Sequence, residues 1–212
     1  MFNINQKIED YILSHSDEED EILKELYRQT YLKALNPRMI SGYMQGKFLE
    51  FISKMIEPEQ ILEIGTFTGY SAICLAKGLK PSGKLHTIEL NIELEEFPKK
   101  YVEKLNLTHK IKFYMGDALQ IIDKMDYVFD LVFIDGDKRQ YCDYYNKVFD
   151  KVNKGGFIIA DNIFWDGKVL DENDYEKTTM GLKEFSKMVK SDKRVEKFIL
   201  PLRDGLMLIR KH

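Results

Sequence analysis

After Pro58 the chain becomes an alternation of short, almost wholly apolar runs with helical stretches, and no other feature limits its fold so much. The apolar runs occupy residues 61–64, 85–90, 111–115, 131–134 and 157–160. Such runs lack the polar alternation of a half-solvated strand. They suit a parallel sheet covered by helices on both faces. Helices are expected over 72–79, up to about Leu105 with Pro98 in its first turn or at a kink, and ahead of the fourth and fifth runs.

The last segment is different. Residues 195–200 and 206–209 read as two strands joined by Pro201-Leu202-Arg203-Asp204-Gly205. That linker is too short for a crossover helix, so an antiparallel hairpin is expected to close the sheet. The sum is an α/β fold: a mostly parallel seven-stranded sheet with helices on both faces.

Before Pro58 the spacing is helical. Ile8, Tyr11 and Ile12, then Ile22, Leu23, Leu26, Tyr27, Tyr31 and Leu35, recur every three or four residues until Asn36-Pro37 ends the pattern. A third helix carries Phe48, Leu49, Ile52 and Met55, and all these stripes are read as core packing. Residues 1–57 should therefore lie as extra helices on a core of residues 58–212, within one domain of 212 residues.

Composition narrows the function. A net charge of −3 gives no overall attraction to nucleic acid. No apolar run is long enough to span a membrane, and the N-terminal segment is too charged for a secretory signal. Cys74 and Cys142 lack metal-type spacing and read as free thiols in a reducing compartment. A cytoplasmic protein without a membrane partner is expected.

Three stretches carry chemistry. Glu63-Ile64-Gly65-Thr66-Phe67-Thr68-Gly69-Tyr70-Ser71 joins the first strand to its helix. Gly65 permits close approach to the main chain, and Gly69 opens the helix with its free N–H groups. Tight turns need glycine for geometry alone, and G-x-x-x-G is not the dinucleotide fingerprint. Glu89, ending the second strand, adds a carboxylate placed to accept ribose hydroxyls, and Gly116-Asp117-Ala118 would lie at an adenine edge.

The other stretches are Asp130 to Lys138 and Gly155 to Asn162. Each releases a carboxylate directly after a buried run, and right-handed crossovers make these strand ends neighbours. Asp135, Asp161 and the Asn162 amide then converge as three oxygen ligands. Any one acid at a strand end can equally be a cap. Together they favour Mg2+, Ca2+ or Mn2+ over zinc. Lys138 can reach the same place as a general base, while His15, His86, His109 and His212 fall outside both motifs. A nucleotide-dependent oxidoreductase is disfavoured by the missing third glycine, and a chemically inert cofactor-binding module by the intact Asp135, Lys138, Asp161 and Asn162 set.

From about Met39 onward the sequence resembles the metal-dependent O-methyltransferases of the catechol and caffeoyl-CoA type, bacterial members above all. The resemblance is carried by the Glu63–Ser71 loop, by Phe133-Ile134-Asp135-Gly136-Asp137-Lys138, by Ala160-Asp161-Asn162-Ile163-Phe164-Trp165-Asp166-Gly167-Lys168-Val169, and by Asp204-Gly205-Leu206-Met207-Leu208-Ile209-Arg210. It implies a Rossmann-like class I methyltransferase fold and S-adenosylmethionine as cofactor. It implies Asp135, Asp161 and Asn162 as ligands of a divalent metal and Lys138 as catalytic base. Met39, Ser41, Glu63, Gly65, Phe67, Gly69, Ser71, Glu89, Ala118 and Asp135 would line the cofactor site, with Gln45-Gly46 helping to cover the cofactor's methionine part. Homodimers are common in the family. The N-terminal helices and residues 170–180 match no substrate-specific version, so the acceptor stays open between a catechol-like or other small phenol and a hydroxylated uridine of tRNA.

Overall fold

Leu131, Val132, Phe133 and Ile134 are all fully buried, and successive side chains enter two different cores on opposite faces of one sheet. The structure, a computed structural model, describes residues 6–212. Residues 1–5, the start of the charged N-terminal segment, lie outside the described residues.

Three helices come first: α1 (Gln6–Ser14), α2 (Glu21–Lys33) and α3 (Gly42–Ile56). The alternating part then runs β1 (Gln60–Ile64), α4 (Tyr70–Ala76), β2 (Lys84–Glu89), α5 (Glu96–Lys104), β3 (Ile111–Met115), α6 (Ala118–Asp123), β4 (Phe129–Ile134), α7 (Tyr141–Phe149) and β5 (Val152–Ala160). It ends with α8 (Lys177–Ser191), β6 (Val195–Leu200) and β7 (Leu206–Lys211). The sheet order is β3-β2-β1-β4-β5-β7-β6. The first five strands pair in parallel, and β7 runs antiparallel to both β5 and β6. The expected mostly parallel seven-stranded sheet with a closing hairpin is borne out.

One face of the sheet is covered by α2 to α5, with Leu26, Leu49, Ile73 and Tyr101 in its core. The other carries α6, α7 and α8, where the rings of Tyr141 and Tyr145 meet Phe185 edge-on at 5.4 and 6.0 Å. Pro98 falls in the first turn of α5 rather than at a kink.

Two sequence expectations need correction. Strand β5 starts at Val152, not Phe157, because the buried Val152 already pairs with Phe129 of β4; the register then shifts, and Asn153 and Lys154 between stay exposed and give no apolar signal. The N-terminal stripes are only partly core. Leu23, Leu26 and Leu49 are buried, but Ile8, Tyr11, Tyr27, Tyr31, Leu35 and Met55 are exposed. The apolar stripes are wider than the edge by which these helices touch α4 and α5. A buried Thr30 hydroxyl on α2 still reaches the Thr68 hydroxyl at 3.1 Å and so ties that helix to the β1–α4 loop.

Candidate active site

Register builds the site. Ile64 of β1 pairs with Ile134 of β4, and Ile134 pairs with Ala160 of β5. The next residues, Gly65, Asp135 and Asp161, therefore form a row along the carboxyl edge. The strand order reverses between β1 and β4, which is where ligands enter open α/β sheets. Main-chain bonds hold the row, with Asp135 N–H donating to Ile64 O at 2.8 Å and Asp161 N–H to Ile134 O at 3.0 Å. The buried Tyr141 hydroxyl donates to Ile134 O (3.2 Å) and Asp161 O (3.1 Å), clamping both strand ends.

The cofactor end is shaped by contact. At Gly65, φ is +102° and an added Cβ would lie 2.4 Å from the Asp135 carbonyl oxygen. Only glycine lets these two strand exits touch. Met39, Ser41, Gly65, Phe67, Ser71 and Asp135 line one small pocket there. The other expected cofactor residues surround it. Glu89 accepts the Phe67 N–H at 2.7 Å and the Asn91 N–H at 2.8 Å, one on each oxygen. Gly69 caps α4. Ala118 opens α6 across β2, outside that lining. Glu63 is fully buried below the loop, where it accepts the Ser71 hydroxyl at 2.6 Å and the Thr87 hydroxyl at 2.5 Å. Burial pushes its carboxyl up to about 8, with those two hydroxyls opposing the rise. Its role is to brace the loop from beneath.

At the metal end, Lys138 Nζ donates to Asp135 Oδ1 at 2.6 Å, and both side chains are largely shielded from solvent. Lys138 begins a short turn capped by the Asp137 carboxylate. Asp161 is buried and accepts two bonds of 2.6 Å, from the Asn162 N–H and from Gln45 Nε2. Burial first, then the charge of Asp135, raises its carboxyl to about 7, against the pull of Lys138. Asn162 has a left-handed φ of 58°.

This donor set fits a hard divalent cation. Burial and the charge of Asp135 raise the cost of ionising Asp161, which a positive ion would relieve, and an amide oxygen would complete an oxygen-only set. Among the described residues no group of three or more His, Cys, Asp or Glu is placed to hold a metal, so the candidate is two acids and an amide, not a zinc-type cluster.

Helix α8 closes the other side. A Cβ on Gly181 would lie 2.7 Å from the Lys138 carbonyl oxygen, so α8 rests on the main chain of the lysine's turn. The stretch 170–180, expected to border the acceptor, leads into this contact and leaves Leu170, Tyr175 and Met180 exposed. Gln45, expected near the cofactor, is fully buried and donates its amide to Asp161 at 2.6 Å. Tyr141 and Arg203 carried no sequence signal of their own, since their partners are set by the folded sheet.

The O-methyltransferase family model matches residues 13–212. The chain belongs to the O-methyltransferase family. It is similar to caffeoyl-CoA O-methyltransferase 2 of Petunia hybrida, with 34% identity over 95% of this chain and 88% of the relative. It is 31% identical to the catechol O-methyltransferase of Niastella koreensis over 74% of this chain and 73% of that one. The O-methyltransferase TomG of Streptomyces achromogenes, involved in tomaymycin synthesis and solved with SAM, superposes with a TM-score of 0.91 at 28% identity, covering 97% of this chain and 96% of its own. The resemblance to the catechol and caffeoyl-CoA enzymes is borne out, and this O-methyltransferase shares their Rossmann-like architecture.

Proposed function

We propose that this O-methyltransferase moves the methyl group of S-adenosylmethionine to a hydroxyl of a catechol-like or other small phenolic acceptor. Asp135, Asp161 and Asn162 would hold a divalent cation, Mg2+ first and Mn2+ or Ca2+ as alternatives. One observation carries this reading: Asp135 belongs to both halves of the site. It lines the pocket under the glycine loop and also pairs with Lys138 at 2.6 Å beside Asp161. The names of the plant and bacterial relatives support a phenolic acceptor, and TomG with SAM supports the donor.

When bound, the sulfonium cofactor supplies an electrophilic methyl group, and the cation supplies positive charge beside the acceptor hydroxyl. The chain's own residues do the rest. Glu89 receives the ribose hydroxyls on the oxygen lone pairs left free by Phe67 and Asn91. Met39 and Ser41 close the pocket from the segment before α3. Lys138, in its neutral amine form, would take the acceptor proton on Nζ, and Asp135 holds that nitrogen at the strand end. Much of the rate then comes from fixing donor and acceptor side by side. The protein works as a cytoplasmic homodimer. Free Cys74 and Cys142 and the exposed apolar residues of α2 support this, and among the described residues no helix is long and apolar enough to cross a membrane.

The test is an acceptor panel of catechol, caffeoyl-CoA and tRNA carrying hydroxylated uridine, each with Mg2+ and with excess chelator. Methylation of the phenols that chelator abolishes and Mg2+ or Mn2+ restores is the expected result. Full activity in chelator would sink the metal reading, and turnover of the tRNA alone would replace the acceptor.

A further inference from the structure

The turn between β6 and β7 is remote in sequence from the strand ends that bear the proposed ligands, yet Arg203 in it reaches one of them through Gln45. Arg203, at a left-handed φ of 52°, donates through Nη1 to the carbonyl of Ile40 at 2.8 Å, to that of Ser41, and to Gln45 Oε1 at 3.1 Å. A guanidinium has donors only. The Gln45 atom facing it must therefore be the carbonyl oxygen, which leaves Nε2 to donate to Asp161 Oδ2 at 2.6 Å. Gln45 is fully buried, so it has no solvent in which to reverse its amide cheaply.

We propose that Arg203 is a positioning residue of the metal site. It turns Gln45 so that the amide nitrogen steadies Asp161. It is not itself a ligand. The inference rests on the metal reading above, and supports it with an outer layer of the kind that orients ligands in metal sites.

The experiment is Mn2+ titration of the full chain, without cofactor or acceptor, followed by the electron paramagnetic resonance of free Mn2+. Thermal unfolding without metal runs in parallel. Arg203→Met should weaken Mn2+ binding by about 10–100-fold, the usual cost of removing an outer partner of a ligand. Gln45→Met with Arg203→Met should bind no more weakly than Gln45→Met alone, because both act through one amide. A merely structural role for the turn would lower the unfolding temperature and leave the Mn2+ affinity of the folded protein unchanged, and that result overturns the proposal. If the Arg203 variant does not fold, Gln45→Met, which leaves the turn intact, decides: unchanged affinity overturns the proposal. Failure of the wild-type chain to bind Mn2+ would instead remove the metal reading itself.

Discussion

Lys138 and Gly65 are the two residues whose replacement separates chemistry from shape. Lys138→Met should lower turnover by about 10²–10⁴-fold, the scale for losing a positioned general base, while calorimetry still finds cofactor and Mn2+ bound. Wild-type turnover in that variant would remove Lys138 from the chemistry. Gly65→Ala should act through the backbone, since its methyl meets the Asp135 carbonyl at 2.4 Å and its φ of +102° is closed to alanine. A stability loss of about 1–3 kcal/mol is expected, measured by chemical unfolding, together with weaker cofactor binding. Asp135, Asp161 and Glu89 were legible in the sequence because an acid straight after a buried apolar run has nowhere to go but the carboxyl edge. The contact between Arg203 and Gln45 was not legible. Arg203 and Gln45 stand 158 positions apart, and their meeting depends on how the hairpin lies over α3.

Strands were easier to foresee than helix surroundings. A run buried on both faces announces itself by composition, so β1 to β4 stand within two residues of their expected ends. An amphipathic stripe says that one face is apolar, not how much of it is covered, and α2 shows the difference. Strand β2 carries a further consequence. Its buried His86 lies between Tyr114 Oη and Gln60 Oε1, each 2.9 Å from a ring nitrogen. Burial, then Lys112 and Lys84, lower its pKa from 6.5 to about 4. Between those two values the unfolded chain binds a proton that the folded chain refuses, so stability falls as pH drops from 6.5 towards 4, with no contribution from this group above that window. Thermal unfolding from pH 7 to 4.5 should show a shallower decline in His86→Gln than in the wild type. Parallel declines would mean that carboxylates alone set the acid limit.

At the scale of the whole molecule, the exposed side of α2 and the residues after it are too apolar for a solvated surface. Leu32 is 66% exposed and Leu35 93%, next to the paired rings of Tyr27 and Tyr31. A second copy of the chain is the expected cover. Light scattering at micromolar concentration should give twice the chain mass of 25.0 kDa. Leu32→Asp with Leu35→Asp should give the monomer with an unchanged circular dichroism spectrum. A monomeric wild type would defeat this.

The alternation of β4 between two cores also governs how such a chain can change over generations. A single-residue insertion or deletion within β4 would exchange Leu131 and Phe133 with Val132 and Ile134 between the faces and turn the following carboxylate away from its neighbours. Length variation at residues 170–176 faces no such penalty, because that segment pairs with no strand. Descendants of this chain are therefore free to grow or trim that loop, while the strand ends stay locked in place by the sheet's own arithmetic.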